Sequence, residues 1–264
     1  MCYHCLMDEF KRIAVEAAKE AGALALQLST QDIKFQEKGP YDILAEADTK
    51  SESLIVKKIR ENFPDHAILS EESGQNDISS SYMWVIDPVD GTINFERHIN
   101  EYCVSIALEK DGVLVLGVIY QAVYDKLFVA IKGEGATLNG KEIHVSTELN
   151  LLKTLFATEN SSKMETRESD FDLLYKIREK VRGVRIFGSG ALHLASVAEG
   201  HLDFYFKTKF NYWDIAAGTV LIREAGGKVT DFDGNDLLRT SPNIVASNGV
   251  LHTQVLQLLA DNRS

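Results

Sequence analysis

The sequence predicts an α+β protein in which helices and sheets form separate layers, and three observations lead to this prediction. Apolar residues recur at helical spacing in two stretches of the first 64 residues. From residue 67 to about residue 140 the pattern changes to consecutive extended segments with hairpin-type turns. After residue 149 short strands and helices alternate. Elements of these kinds bury their apolar faces by packing in layers.

The composition is that of an ordinary globular protein. The 264 residues are 45% hydrophobic and 25% charged, so the chain can bury a sizeable core. Its formal net charge of −11 argues against a nucleic-acid partner and is compatible with a site for divalent cations. No apolar run approaches the ~20 residues of a membrane-spanning helix, and the first residues do not resemble a signal peptide. We therefore expect a cytoplasmic protein without a membrane partner.

Two amphipathic helices open the chain. The first is predicted from Asp8, a plausible N-cap, to about residue 29. The second is predicted from the capping box Thr49-Lys50-Ser51-Glu52 to Pro64. Between them, residues 38–42 are rich in turn formers and predict an irregular polar loop. Because this loop leads directly to Asp48, we expect it to act as a mobile lid.

Strands dominate the middle of the chain and alternate with helices in its last third. Turn pairs at Asp111-Gly112 and Asn139-Gly140 predict hairpins of an antiparallel sheet. We divide the chain into residues 1–145 and 146–264, two halves that could equally count as one domain. The predicted strands are residues 67–69, 82–86, 102–108, 113–120, 127–131, 154–158, 184–187, 202–206, 228–230 and 244–246. The predicted later helices are residues 171–181, 189–199 and 213–225 and a last helix from about residue 252.

The strongest chemical signal lies in residues 84–95. An apolar strand ends at Asp87, a proline forces a turn, and Asp90-Gly91-Thr92 opens a helical turn. Two carboxylates three residues apart at a strand end repel each other unless a cation neutralises them. Mg²⁺ prefers such oxygen ligands and recruits a substrate phosphate, which the amides of Gly91 and Thr92 are placed to bind. The alternative is an ordinary turn in which Asp90 caps a helix.

Other acidic residues are weaker signals when each is taken alone. Glu71 and Glu72 follow the strand at residues 67–69 and could form a solvated loop. Asp214 begins a helix of small residues, and Asp48 precedes the second helix, so each could be only an N-cap.

Four motifs, in their order along the chain, resemble the inositol monophosphatase family. They are Leu69-Ser70-Glu71-Glu72-Ser73, Asp87-Pro88-Val89-Asp90-Gly91-Thr92-Ile93-Asn94-Phe95, Gly188-Ser189-Gly190-Ala191-Leu192 and Trp213-Asp214-Ile215-Ala216-Ala217-Gly218. The resemblance covers nearly the whole chain. It implies a layered αβαβα sugar-phosphatase fold, a homodimer and Mg²⁺-dependent hydrolysis of a small phosphomonoester.

The resemblance also implies metal ligands. One Mg²⁺ would be held by Glu71, Asp87 and the backbone carbonyl of Val89. A second would be held by Asp87, Asp90 and Asp214, and a third, weaker one would lie near Glu71 with mostly water ligands. Mn²⁺ could replace Mg²⁺, and inhibition by Li⁺ and Ca²⁺ is expected.

Catalysis by an attacking water follows from the same resemblance. Asp48 and Thr92 would orient the water, and Glu71 together with that pair would accept its proton. No cysteine or serine nucleophile is required. Contacts with the substrate and its phosphate are expected from Asp90, Gly91, Thr92, Arg185, Gly188, Ser189, Gly190 and Lys207.

Position 207 departs from the family pattern. Animal inositol monophosphatases have a glutamate seven residues before the aspartate of the Trp-Asp motif, where this chain has Lys207. With Lys209 and Arg185, this lysine could favour a second phosphate on the substrate, or it could be a solvated lysine at a strand end. Inositol 1-phosphate and fructose 1,6-bisphosphate are thus the leading substrates, with a nucleotide 3′,5′-bisphosphate as an alternative. A catalytically silent binding protein and a metal-free structural protein also remain open.

Overall fold

The computed structural model describes residues 3–31, 34–39, 42–159 and 164–262. The helices in these ranges are α1 (Tyr3–Leu28), α2 (Glu46–Asn62), α3 (Thr92–Glu96), α4 (Met164–Ile177), α5 (Gly190–Ala198), α6 (Tyr212–Glu224) and α7 (His252–Ala260). The strands are β1 (Phe35–Gly39), β2 (Asp42–Ala45), β3 (Ala67–Ser70), β4 (Gly74–Gln75), β5 (Tyr82–Asp90), β6 (Cys103–Lys110), β7 (Val113–Gln121), β8 (Lys126–Ile131), β9 (Gly135–Leu138), β10 (Lys141–Glu142), β11 (Leu155–Ala157), β12 (Gly183–Arg185), β13 (Phe204–Lys207), β14 (Lys228–Thr230) and β15 (Ile244–Ser247).

Within the described residues, the larger sheet has eight strands in the order β10-β9-β8-β7-β6-β5-β3-β4. Its neighbouring strands are antiparallel except β3 and β5, which run parallel. Asp111-Gly112 turns the chain between β6 and β7, and Asn139-Gly140 does so between β9 and β10, with positive φ at all four residues. The predicted hairpins are therefore confirmed.

The smaller sheet has five strands in the part of the chain that the structure describes, in the order β12-β11-β13-β15-β14. Within it, β11 runs parallel to β12 and β13, whereas β15 is antiparallel to both of its neighbours. Successive residues of β13 point to opposite faces, so Tyr205 faces the middle of the molecule while Phe204 and Phe206 face outward.

Helices cover both sheets in three layers. On the outer face of the larger sheet, α1 and α2 bury residues such as Phe10 and Ile55 against Trp84 of β5. Between the sheets lie α5 and α6, which share one core with residues of both sheets. The far face of the smaller sheet packs on α4 and α7, through residues such as Leu173 and Leu258. The order of layers is αβαβα, which confirms the predicted fold class.

A close approach between α6 and the larger sheet determines how that helix lies on the sheet. A Cβ atom at Gly117 of β7 would overlap the backbone carbonyl of Ala217 in α6. Glycine at this point lets the helix lie directly on the strand. The helices α5 and α6 belong to the second predicted half, but they pack on the sheet of the first half. The division of the chain into two halves at residue 145 stays a prediction.

Both N-terminal helices begin earlier than predicted. Met7, buried against the larger sheet, extends the apolar face of α1, so Asp8 lies inside the helix and is not its N-cap. At the start of α2, the backbone amide of Ala45 donates a 2.8 Å hydrogen bond to Asp48 Oδ2. The predicted capping box at Thr49-Lys50-Ser51-Glu52 is therefore wrong, because the helix is capped one turn earlier.

The predicted irregular loop at residues 38–42 is replaced by a hairpin of β1 and β2. Lys38, Gly39 and Asp42 belong to its strands. Pro40 and Tyr41 lie outside the described residues, and the predicted lid motion falls on them. None of the helices in the described ranges has both the length and the apolar character needed to cross a membrane.

Candidate active site

A β-bulge at the end of β5 brings Asp87 and Asp90 to one side of the sheet. Asp87 pairs with Ser105, and Asp90 pairs with Cys103. The two paired residues are therefore three positions apart on β5 but only two positions apart on β6, which is a β-bulge. Since alternate residues of a strand share a face, Cys103 and Ser105 point the same way, and so do their partners. The predicted end of β5 at Asp87 is corrected, because the strand continues through the bulge to Asp90.

Five carboxylates meet at this edge of the larger sheet. Glu71 directly follows β3, which is parallel to β5, so both strand ends lie at the same edge. Asp48 and Asp214 come from the first turns of α2 and α6. Burial raises the pKa of Asp87 well above its usual range, and Glu71, Asp90, Asp214 and Asp48 raise it further. The structure thus brings together Asp48 and the four acidic residues of the motifs that were proposed as metal ligands or catalytic residues.

Asp90 lies at the N-terminus of α5. Ser189 Oγ and the amide of Ala191 donate hydrogen bonds of 2.6 and 2.7 Å to Asp90 Oδ2, and the amide of Gly190 donates one of 3.3 Å to Oδ1. Burial and the neighbouring Asp214 outweigh these donors and raise the pKa of Asp90 to about 7. A phosphate at the start of α5 would have to replace Asp90 as acceptor, so the predicted phosphate contacts of Ser189 and Gly190 stay predictions.

Asn94 ties α3 to the loop that precedes α5. Its Nδ2 donates hydrogen bonds to the carbonyls of Glu101 at 2.7 Å and Phe187 at 2.6 Å. Gly188, another predicted phosphate contact, lies directly against this amide, because a Cβ atom at Gly188 would be 3.0 Å from Asn94 Nδ2. Asn94 belongs to one of the four motifs, but no role was predicted for it.

Thr92 and Asp48 are in contact where α3 begins. Thr92 Oγ1 lies 3.1 Å from Asp48 Oδ1 and 3.1 Å from the carbonyl oxygen of Val89. A hydroxyl has one proton, so Thr92 donates to one of these oxygens at a time. The preceding Gly91 has φ of 98°, and a Cβ atom there would lie 2.8 Å from the carbonyl of Glu101.

Glu52 supports the segment that carries Glu71. Its Oε2 accepts hydrogen bonds from the hydroxyl of Ser70 and, at 3.0 Å, from the amide of Glu72. The amide of Glu71 itself donates to the carbonyl of Ile86 at 3.2 Å. Glu52 was predicted only as a member of a capping box. Its spacing of four residues from Asp48, which puts both on one helix face, is the signal that could have identified it.

Lys207 is buried, which corrects the interpretation of this residue as a solvated lysine at a strand end. Its Nζ lies 2.7 Å from Glu159 Oε2 and 3.5 Å from Asp214 Oδ2. Burial opposes the charge of Lys207, but these carboxylates outweigh it and raise its pKa above the usual range. Lys209, two residues further on, is exposed. A second substrate phosphate would have to compete with two carboxylates for Lys207.

Glu159 was missed by the sequence analysis. Its Oε1 accepts a 2.9 Å hydrogen bond from the hydroxyl of Tyr205 and lies 3.1 Å from His193 Nδ1. Because His193 Nε2 accepts a 2.7 Å hydrogen bond from the amide of Phe187, the ring proton lies on Nδ1 and faces Glu159. Burial acts to raise the pKa of Glu159, but Lys207 and His193 hold it below its usual range.

Arg185 is not brought to the carboxylates. It is exposed, and its Nη1 donates a 2.8 Å hydrogen bond to the carbonyl of Val184. Arg185 lines a cavity of about 290 Å³ together with residues such as Phe187 and Leu192. Among the residues that the structure describes, none of the five carboxylates lines this cavity. The predicted contact of Arg185 with a substrate at the carboxylates is not supported by this position.

The chemistry of the five carboxylates fits a hard divalent cation. Carboxylate oxygens are the preferred ligands of Mg²⁺, and a cation would relieve the repulsion that raises the pKa of Asp87. In the part of the chain that the structure describes, no group of three or more Asp, Glu, His or Cys side chains is arranged so that it could hold a metal ion as it stands. Mg²⁺ typically keeps waters and takes phosphate oxygens, which would supply the other ligands.

The structure combines αβαβα layers with acidic residues gathered at the ends of β3 and β5. The sequence model of the inositol monophosphatase family matches residues 6–264. The chain therefore belongs to the inositol monophosphatase family and is a phosphatase of that family, which confirms the resemblance.

Individual relatives match over almost their whole lengths. The chain is 40% identical over 257 residues to an inositol-1-monophosphatase of Synechocystis sp., which covers 96% of this chain and 90% of the relative. It is 37% identical over 262 residues to the Nus factor SuhB of Escherichia coli, with 98% of both chains covered. The structure of an inositol monophosphatase from Anabaena (Nostoc) sp. is similar with a TM-score of 0.87, 37% identity and 97% of both chains covered.

Proposed function

We propose that the protein is a Mg²⁺-dependent phosphomonoesterase that hydrolyses a small sugar or polyol phosphate, with inositol 1-phosphate as the first candidate. The observation that carries this proposal is the buried carboxylate of Asp87 with four further carboxylates around it. Such a cluster is unfavourable without a cation and becomes a binding site with one. The substrate is suggested by relatives named inositol-1-monophosphatase and inositol monophosphatase.

The ligands of the cations are proposed from the same cluster. Glu71, Asp87 and the carbonyl of Val89 would hold one Mg²⁺, and Asp87, Asp90 and Asp214 would hold a second, with a weaker third near Glu71. Bound Mg²⁺ would activate water and neutralise the charge that develops on the phosphate and on the leaving oxygen.

The chain itself would position the reacting groups. Asp48 Oδ1, which faces Thr92 Oγ1 at 3.1 Å, would accept a hydrogen bond from the attacking water and so fix its orientation. Glu71 is only partly buried and would accept the proton of the water. The amides of Gly91 and Thr92 at the start of α3 would hold a phosphate oxygen.

The pairing of Lys207 favours a substrate with one phosphate. Its ammonium group lies within 4 Å of two carboxylates, so it offers little free charge to a second phosphate. Fructose 1,6-bisphosphate and a nucleotide 3′,5′-bisphosphate are therefore the alternatives, behind inositol 1-phosphate.

A phosphate-release screen tests the proposal. Inositol 1-phosphate, fructose 1,6-bisphosphate, histidinol phosphate and adenosine 3′,5′-bisphosphate would each be incubated with the protein in Mg²⁺ or in EDTA. We expect Mg²⁺-dependent release that is lost in Asp87→Asn and retained in the control Asp65→Asn, since Asp65 is exposed. If the wild-type protein binds Mg²⁺ and releases phosphate from none of the four, the chain is a silent homologue.

Inhibitors and assembly provide further tests. Li⁺ is expected to inhibit by occupying the site of Asp87, Asp90 and Asp214, and Ca²⁺ by replacing Mg²⁺. Tens of millimolar Li⁺ without effect would count against this assignment. The homodimer and the cytoplasmic location stay predictions, the first of which light scattering can measure.

A further inference from the structure

A fixed positive charge lies inside the proposed metal site. Lys207 is the last residue of β13 and pairs with Ile244 of β15, which holds its backbone in the smaller sheet. Its side chain is only 9% exposed, and its Nζ lies 3.5 Å from Asp214 Oδ2. Asp214 Oδ2 also accepts a 3.2 Å hydrogen bond from the amide of Asn211. One oxygen of this proposed ligand is thus shared between two protein donors.

Glu159 keeps the ammonium group in that place. Its Oε2 lies 2.7 Å from Lys207 Nζ, while its Oε1 is held by Tyr205 and His193. Its position is further limited by α5, because a Cβ atom at Gly190 would be 3.0 Å from Glu159 Oε1. An ammonium group that moved out of this place would leave the buried carboxylate of Glu159 without a cationic partner, which is costly.

We propose that Lys207 is a built-in counter-ion of Asp214 that weakens divalent-cation binding on this side of the site, and that Glu159 limits this effect by sharing the ammonium group. The inference rests on the proposed function, since it requires Asp214 to be a metal ligand. A cation that binds at Asp214 meets the repulsion of a charge only a few ångströms away in a poorly solvated site. Lys207 is a positioning residue in this proposal, because it acts through Asp214.

Substitutions at the two positions are expected to act in opposite directions. Glu159→Gln removes the partner of Lys207, so the ammonium group pairs with Asp214 alone and the Kd for Mg²⁺ rises roughly tenfold. Adding Lys207→Gln to Glu159→Gln removes the positive charge without leaving Glu159 unpaired. We therefore expect the double variant to bind Mg²⁺ roughly tenfold more tightly than Glu159→Gln alone.

Calorimetric titration of each purified protein with MgCl₂, without substrate, measures these affinities. Glu159→Gln with Lys207→Arg keeps the positive charge and should bind as weakly as Glu159→Gln. Lys209→Gln removes an exposed lysine nearby and controls for net charge, so its affinity should match the wild type. Thermal unfolding of every variant without metal reports any loss of structure separately.

The outcomes distinguish the inference from the proposed function. If the wild-type protein binds no Mg²⁺ at millimolar concentration, the proposed function fails. If the wild type binds Mg²⁺ and the double variant binds no more tightly than Glu159→Gln, the counter-ion role of Lys207 is overturned. A tighter double variant with an unchanged Lys209→Gln control supports it.

Discussion

Thr92 Oγ1 and Asp48 Oδ1 lie 3.1 Å apart, although 44 positions separate the two residues in the chain. Asp48 uses its other oxygen, Oδ2, to accept the amide of Ala45 at 2.8 Å. One buried carboxylate therefore caps α2 and at the same time joins the starts of α2 and α3. The helix cap and the proposed catalytic contact depend on the same side chain.

Asp48→Asn is expected to lower kcat by ~10²–10⁴, the usual effect of losing a positioned acid–base group. Metal affinity should be unchanged, since Asp48 is proposed to orient water and not to bind metal. The asparagine retains a carbonyl oxygen that can accept the amide of Ala45, so the fold should survive. Thr92→Ser keeps the hydroxyl and serves as the control. Parallel calorimetry with MgCl₂ checks the assignment, and an equal loss of metal affinity would identify Asp48 as a ligand.

Asp87→Asn is expected to remove activity and to stabilise the metal-free protein. The pKa of Asp87 is raised by burial and by four acidic neighbours, so this carboxyl group opposes folding of the metal-free protein at pH values above the usual carboxyl pKa. Removing it should raise Tm without metal by about 2–4 °C, corresponding to roughly 1 kcal/mol in a chain of this size. Addition of Mg²⁺ should raise the Tm of the wild type and leave that of the variant nearly unchanged. A lower Tm in EDTA would show that Asp87 is needed for folding.

The residues found from sequence and those missed differ in how their signals are placed along the chain. Asp87 and Asp90 lie in one short motif, where their spacing indicates a shared site, whereas Asp214 was assigned to that site by the resemblance of its Trp-Asp motif to the family. Lys207 and Glu159 are 48 positions apart, and their pairing arises only when β13 packs beside the segment that follows β11. The charge of Lys207 is readable from the sequence, but its carboxylate partner is not.

Turn formers caused the main error in the fold prediction. Gly39 and Pro40 predicted an irregular loop over residues 38–42, but such residues say nothing about the segments on either side, which pair as β1 and β2. A similar limit applies at Asp87, where Pro88 suggested the end of the strand. Proline is tolerated there because the bulge interrupts the pairing of β5 with β6 between Asp87 and Asp90.

Glu52→Gln is expected to weaken metal binding without unfolding the protein. Glu52 accepts hydrogen bonds from Ser70 and Glu72, the neighbours of Glu71, and the neutral amide accepts them less strongly. We expect a ~3–10-fold higher Kd for Mg²⁺, a loss of at most ~1.4 kcal/mol. Glu61→Gln, on the exposed side of the same helix, is the matched control. Equal affinities of the two variants would mean that Glu52 has no influence on Glu71.

Gly91→Ala is expected to destabilise the protein by about 2 kcal/mol or more and to abolish activity. Its φ of 98° is strained for any residue with a Cβ atom, and that atom would lie 2.8 Å from the carbonyl of Glu101. Gly112→Ala separates the strain of a positive φ from the contact with Glu101, because Gly112 has φ of 79° and nothing within 4 Å of its Cβ position. Urea unfolding should show a clearly larger loss for Gly91→Ala. If both lose the same free energy of unfolding, the contact with Glu101 is unimportant.

His252 is expected to give the protein part of its sensitivity to acid. The side chain is buried, with Nδ1 at 2.8 Å from Ser247 Oγ and Nε2 at 2.9 Å from Thr230 Oγ1. Burial, with a smaller effect of Lys228, lowers its pKa to about 4, whereas an unfolded histidine has a pKa of about 6.5.

The sign of the effect follows from these two values. Between pH 6.5 and pH 4 the unfolded chain binds a proton at this position that the folded protein does not, so acid favours unfolding. The stabilising contribution of His252 is therefore complete above pH 6.5 and is lost as the pH falls towards 4, by at most ~1.4 kcal/mol for each pH unit.

His252→Asn should lose less free energy of unfolding over this range than the wild type, even if it is less stable at pH 7. Urea titrations at pH 7.0 and about pH 4.5 measure the difference, with exposed His144→Asn expected to behave like the wild type. Parallel losses in His252→Asn and the wild type would show that this histidine does not contribute to acid unfolding.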